Sequence, residues 1–173
     1  MMRFSLFVTA FLFITLSSCK SSKAVDFKES LAKSERRAFD IILGKNGSGE
    51  KKLNYLVNDD YKGALAAVDQ QAIEFDKLID DINKLSTNDV TEGEPLKIAT
   101  LEYYKALKAL HVFDRKEIEQ QALLSELKNN ELNIAQNNLI ALAHQKKLLY
   151  TAVYKKEALL HTAAENFNAA NGI

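Results

Sequence analysis

Only one cysteine, one proline and no tryptophan occur in these 173 residues, and the 23 basic and 23 acidic side chains cancel. Each scarcity excludes something. A lone cysteine, Cys19, rules out an internal disulfide, a Cys-x-x-Cys redox pair and a cysteine-based metal site. Balanced charge gives no global field to draw in nucleic acid or an anionic membrane surface, so a nucleic-acid partner is disfavoured. With one proline and six glycines the backbone has few places to break. The abundant Ala, Leu, Lys, Glu and Gln favour helix instead. No run of alternating β-branched residues marks a strand. The length suits a single domain.

The one long apolar run lies at the start. Arg3 gives a short positive segment, and Phe4 to Leu16 (FSLFVTAFLFITL) follows as an apolar stretch. That stretch is shorter than the roughly 20 residues a permanent membrane span requires. It ends in Leu16, Ser17, Ser18 and Cys19. The order of these parts is that of a secretory signal, and the final quartet resembles the bacterial lipobox. In such signals the cysteine thiol receives a diacylglyceryl group, a peptidase cleaves ahead of it, and the freed amine is acylated.

The resemblance therefore implies removal of residues 1–18 and a lipid (palmitate-type) membrane anchor on Cys19. Two or more acyl chains hold stably, at ~0.8 kcal/mol per buried methylene. Lys20 stands where an aspartate would favour inner-membrane retention, and no acidic cluster follows. By the same resemblance the outer membrane is expected, with the periplasmic face slightly ahead of the cell surface. Residues 19–24 form the anchored tether; its polar part, 20–24 (KSSKA), reaches at most ~18 Å. The folded part, residues 25–170, then sits close to the membrane.

From Val25 the apolar residues recur at helical spacing. A first helix is expected from Asp26, which makes an acidic capping-box pattern with Glu29. Phe27, Leu31, Ala38 and Ile41 or Ile42 line one face of it. Gly44 to Gly49 (GKNGSG) should close it. A second helix is expected over about 51–85, with a stripe of Leu53, Val57, Tyr61, Leu65, Val68, Ala72, Phe75, Ile79 and Ile82. After a polar loop at 86–94, Pro95 falls in the first turn of a third helix, where proline is tolerated best. The stretch beyond has no breaker before Gly172, so a compact fold needs a reversal within it. We place that reversal near 126–130, by Asn129 and Asn130, and read Asp114 as a kink or exposed turn. A fourth helix, about 130–168, completes an all-α, elongated antiparallel bundle: three long helices plus one shorter N-terminal helix.

Candidate sites are sparse. The constellation nearest to a metal site is Glu157, His161 and Glu165, on one helix face at i, i+4 and i+8. The same spacing also gives ordinary charge pairing on a solvated face, and nothing on another helix visibly completes a shell. The His-x-x-Glu signature of imelysin-like iron-uptake lipoproteins is absent, since His111, His144 and His161 are followed at that spacing by Asp114, Lys147 and Ala164. Gly47-Ser48-Gly49 lacks the preceding strand of a nucleophile elbow or phosphate loop. The acidic pairs Asp59-Asp60 and Asp80-Asp81 point about 100° apart on a helix and read as solvated. Tyr103 with Tyr104, and Tyr150 with Tyr154, could pack on the bundle or offer an aromatic patch. No catalytic residue and no cofactor is implied.

Leu53–Asn58 (LNYLVN), Glu92–Thr100 (EGEPLKIAT) and Glu165–Asn168 (ENFN) are similar to segments of a family of bacterial surface lipoproteins known from leptospiral members. The family's Gln-x-x-Phe is matched only by Ala164 or Glu165 ahead of Phe167. The resemblance implies an anchored helical protein and assigns no activity. The expectation is thus a non-enzymatic binding or structural module of the cell envelope, with an envelope protein as its candidate partner. The alternative is a small-ligand or metal carrier using a cleft between helices.

Overall fold

The computed structural model describes residues 22–126 and 132–173. Every regular element among them is an α-helix: α1 (Ser22–Leu43), α2 (Ser48–Val57), α3 (Tyr61–Asn83), α4 (Gly93–Glu126) and α5 (Leu132–Asn171). The all-α bundle expected from periodicity and composition is the fold. Cys19 and the rest of the N-terminal segment lie outside the described residues.

α1 is helical from Ser22, ahead of the expected Asp26. Ser22–Ala24 therefore belong to the helix, and Ala24 is fully buried beside Phe27, Leu96 and Phe167. GKNGSG ends the helix as expected. The Gly44 N–H donates back to the Phe39 and Asp40 carbonyls, and Asn46 takes φ 65°. The turn is tightest at Gly49, where a Cβ would stand 2.1 Å from the Ile42 carbonyl oxygen. Only glycine lets α2 pass so close to the end of α1.

The helix expected over 51–85 is two helices. Asn58, Asp59 and Asp60 interrupt it: Asp59 takes φ 54°, and the Asp60 carboxylate accepts from the Gly63 N–H at 2.8 Å, capping α3. Asparagine and aspartate favour such breaks because their side chains bond to nearby backbone. The break also re-phases the apolar stripe. Val68, Phe75 and Ile82 are buried as expected, whereas Leu53 and Val57, carried back across the break, are 56% and 83% exposed. α2 instead buries Ser48, Gly49 and Lys52. It is the short member of the bundle, at 10 residues against 22 in α1.

Pro95 falls in the first turn of α4 as the sequence suggests. α4 and α5 run antiparallel, tied by Lys156 to Glu102 at 3.2 Å and by Lys146 to Glu117 at 2.5 Å. The reversal expected near 126–130 falls between Glu126 and Leu132, at residues outside those described. Asp114 is not an exposed turn. α4 is helical through it, and its side chain is turned inward. α3 lies antiparallel to α4, joined by Lys108 to Asp76 at 2.5 Å and by Arg115 to Asp69. α5, with 40 residues, is about 60 Å long at 1.5 Å per residue and sets the elongated shape. No described helix is long and apolar enough to cross a membrane.

Phe75, Leu78 and Ile82 of α3 form the main core with Ala38 and Ile41 of α1 and Leu101 and Tyr104 of α4. A second cluster, Ala24, Phe27, Leu96 and Phe167, joins the start of α1 to the end of α5. α1 is held at both its ends and packs mainly on α3, which leaves its opposite flank open toward α4 and α5.

Candidate functional site

Among the described residues, two prominent clefts open between helices. The smaller, about 330 Å³, lies where α2, α4 and α5 meet and is lined by Lys52, Gln71, His111, Asp114, Glu117 and Lys146 among others. Its polar groups are engaged with one another. The Lys52 ammonium pairs with Asp114 and donates to Gln71 Oε1 at 3.4 Å, while Gln71 Nε2 donates to the Ile41 carbonyl at 3.5 Å. Lys146 Nζ donates to Asp114 Oδ1 at 2.7 Å and to Glu117 Oε2 at 2.5 Å. Two ammoniums thus face two carboxylates, and the charges cancel.

Burial by itself would raise the Asp114 carboxyl, but hydrogen bonds from Lys146 and Lys52, with their charges, hold it below its ordinary value. Burial likewise works against the Lys146 ammonium, and its bonds to Asp114 and Glu117 outweigh that, so it is raised. His111 lies beside this network with its ring stacked on Phe75 at 5.8 Å. Burial pushes it down to about 4, helped by the Lys52 and Lys146 charges and opposed by Asp114. The imidazole is therefore neutral at neutral pH. A network so fully paired fastens three helices and has little left with which to grip a ligand.

The larger cleft, about 490 Å³, separates α1 from α4 and α5. One end is shut by the Phe27 and Phe167 rings, 5.8 Å apart, and by Lys28 Nζ donating to Asn168 Oδ1 at 2.7 Å. Beyond that closure Glu35 of α1 and Glu157 of α5 line it, with Tyr103 and Tyr104 of α4 as its floor. The two tyrosine rings meet edge to face at 5.2 Å. Leu31, Phe39, Leu107 and Leu160 make the walls largely apolar.

The residues singled out from sequence fall in different places. Glu157 and His161 line the larger cleft, but Glu165 does not, and it is exposed with His161. Among the described residues no three His, Cys, Asp or Glu side chains converge as a metal-ligand group. His144 is exposed. Tyr150 lines the smaller cleft while Tyr154 is 66% exposed, so the two do not form one pocket. Asp59 and Asp60 build the turn before α3. Asp80 pairs with Lys84 and Asp81 with Arg37. Ser48 is buried and donates to Glu74 at 2.7 Å, a structural bond from the start of α2 to α3. Lys52, Gln71 and Lys146 escaped the sequence reading. Once the break at Asn58–Asp60 is recognised, Lys52 falls on the buried stripe of α2, and a lysine there demands a carboxylate partner.

No protein-family model matches the chain, and no curated protein and no solved structure matches it.

Proposed function

We propose that this chain is a non-enzymatic binding protein, anchored by lipid on Cys19 to a membrane of a bacterial cell envelope, that holds a small ligand in the cleft between α1, α4 and α5. The observation that carries the reading is the cleft itself. At about 490 Å³ it falls within the ~300–1,000 Å³ span of small-molecule sites, with an apolar lining and a few convergent polar groups. The ordered charges of the smaller cleft are spent on one another, which favours the larger one as the binding site. The anchor rests on the lipobox resemblance at Leu16–Cys19, and the outer membrane on Lys20 standing where aspartate would retain the protein.

The test is ligand recovery from the full chain extracted from membranes in mild detergent. Denaturation should release a small molecule detectable by mass spectrometry. Ala164→Trp, which fills the cleft from α5, should carry much less of it. Equal loads in both proteins would sink the cleft as the binding site.

A further inference from the structure

The larger cleft is lined by two carboxylates, Glu35 and Glu157, against one ammonium, Lys28, and the imidazole of His161. Glu35 and Glu157 stand on different walls, and neither forms an ion pair or accepts a side-chain hydrogen bond from another described residue. Their neighbour Glu102, which does not line the cleft, is by contrast held by both Lys105 and Lys156. Lys28 keeps its charge but directs it to Asn168 at the closed end, and it pairs with neither carboxylate. The two carboxylates act on a common region. The Tyr103 hydroxyl is raised by burial and then by the charges of Glu157 and Glu35.

A second, independent observation comes from Tyr104. It is only 4% exposed, yet its hydroxyl makes no hydrogen bond to a described residue. No side-chain polar atom among the described residues is sealed from solvent without a partner. The hydroxyl therefore opens into the cleft that Tyr104 lines, within reach of a ligand's polar group.

We propose that this cleft binds an organic ammonium ion with an apolar body, its cationic head between Glu35 and Glu157 over the Tyr103 and Tyr104 rings. The carboxylates attract the charge, the phenol faces favour a cation, and the Tyr104 oxygen accepts an ammonium N–H. The apolar walls take up the carbon body. A bare metal ion would leave those walls unused and would find no third ligand converging on it. An anion would meet two carboxylates that no cation pairs with. The inference rests on the cleft being the ligand site and adds the class of ligand.

The test compares three probes of one shape on the full chain in detergent: phenethylammonium, phenethyl alcohol and hydrocinnamate. Titration calorimetry should show phenethylammonium binding about tenfold more tightly than the alcohol, the worth of two partly screened charge pairs, and no binding of hydrocinnamate. The double variant Glu35→Gln/Glu157→Gln should lose that preference and keep its affinity for the alcohol. Tyr104→Phe should weaken phenethylammonium several-fold in a chain that melts normally. Equal binding of alcohol and ammonium, or no saturable binding of phenethylammonium, overturns the inference. The broader binding role fails separately, when Ala164→Trp leaves the native ligand load unchanged.

Discussion

Lys52 of α2 and Asp114 of α4 form an ion pair across 62 positions of sequence, with side chains only 8% and 16% exposed. The pair is one of the contacts that hold a ten-residue helix here. Isolated helices that short are marginal in water, and α2 exposes Leu53 and Val57 rather than burying them. Leu56 packs against Ala64 and Val68 of α3 and Ile118 of α4, and Lys52 adds a polar tie to α4, where the same aspartate accepts from Lys146 of α5. Asp114 is thus the point at which three helices are fastened together.

Removing that point leaves the buried Lys52 ammonium without a carboxylate, facing Lys146, which keeps Glu117. Asp114→Ala is expected to cost about 3–5 kcal/mol, the usual penalty for orphaning a buried charge. The double variant Lys52→Met/Asp114→Leu removes the orphan with the carboxylate and should cost clearly less than Asp114→Ala. Urea unfolding of the variants measures both. A loss within about 0.5 kcal/mol for Asp114→Ala, the range of ordinary surface substitutions, would show that the network fastens nothing.

His111 makes stability depend on pH in a defined window. Its pKa falls from 6.5 to about 4 on folding, so between those values the unfolded chain binds more protons than the folded one. Stability is then full above pH 6.5 and declines as pH falls toward 4. The ceiling is on the order of 3 kcal/mol at 1.36 kcal/mol per unit. Asp114, held below 3.8 in the fold, adds its own loss only at lower pH. His111→Phe keeps an aromatic ring against Phe75 and should flatten the profile between pH 4 and 6.5. An unchanged slope in thermal melts across that window would remove His111 as its source.

How much of this was legible depends on whether a residue's role is local. The helix spacing of Phe27, Ala38 and Ile41, the glycine turn and the place of Pro95 are local, and all could be read from the chain. The break at Asn58–Asp60 was missed because Leu53 and Val57 happen to continue the period of Val68 backwards. Periodicity cannot tell a continuous stripe from two stripes in accidental phase. Asp114 was misread for a related reason. Asp114 and Glu117 stand three residues apart, a spacing that matches a capping box and is a local pattern, while the partners of Asp114, Lys52 and Lys146, lie on other helices. Glu157 and His161 were noticed for metal spacing along one helix. Their cleft is made by α1, whose Glu35 no spacing rule connects to them.

The turn between α2 and α3 gives that lesson a measurable form. Asp60 accepts from the Gly63 N–H at 2.8 Å, so Asp60→Ala should cost about 1 kcal/mol, the worth of an N-cap. Gly49→Ala should cost more. Its new methyl would press on the Ile42 carbonyl backbone, and backbone cannot swing aside as a side chain can. Chemical denaturation should rank the two in that order. The reverse order would mean that the close approach of α1 and α2 relaxes freely.

The anchor proposal has a geometric consequence once α1 is taken into account. The tether from Cys19 was expected to extend to residue 24, at ~18 Å of reach. α1 is helical from Ser22 and locks Ala24 into the core, so at most Lys20 and Ser21 separate the lipidated residue from the bundle, or ~7 Å of slack. The end of the bundle holding Phe27, Phe167 and the loop at Asn88 must then lie against the lipid surface, and the far end at Val57 must stand away from it. A nitroxide placed on Asn88→Cys should be relaxed by lipid-phase oxygen in membranes, while one on Val57→Cys should not. The chemistry is tested on the same protein. The natural chain should incorporate labelled palmitate and lose residues 1–18, and Cys19→Ser should do neither, accumulating as uncut precursor. A normally cleaved, unlabelled product from Cys19→Ser would refute the anchor. Equal relaxation at both nitroxides, with labelling intact, would instead leave the anchor standing and refute the short tether.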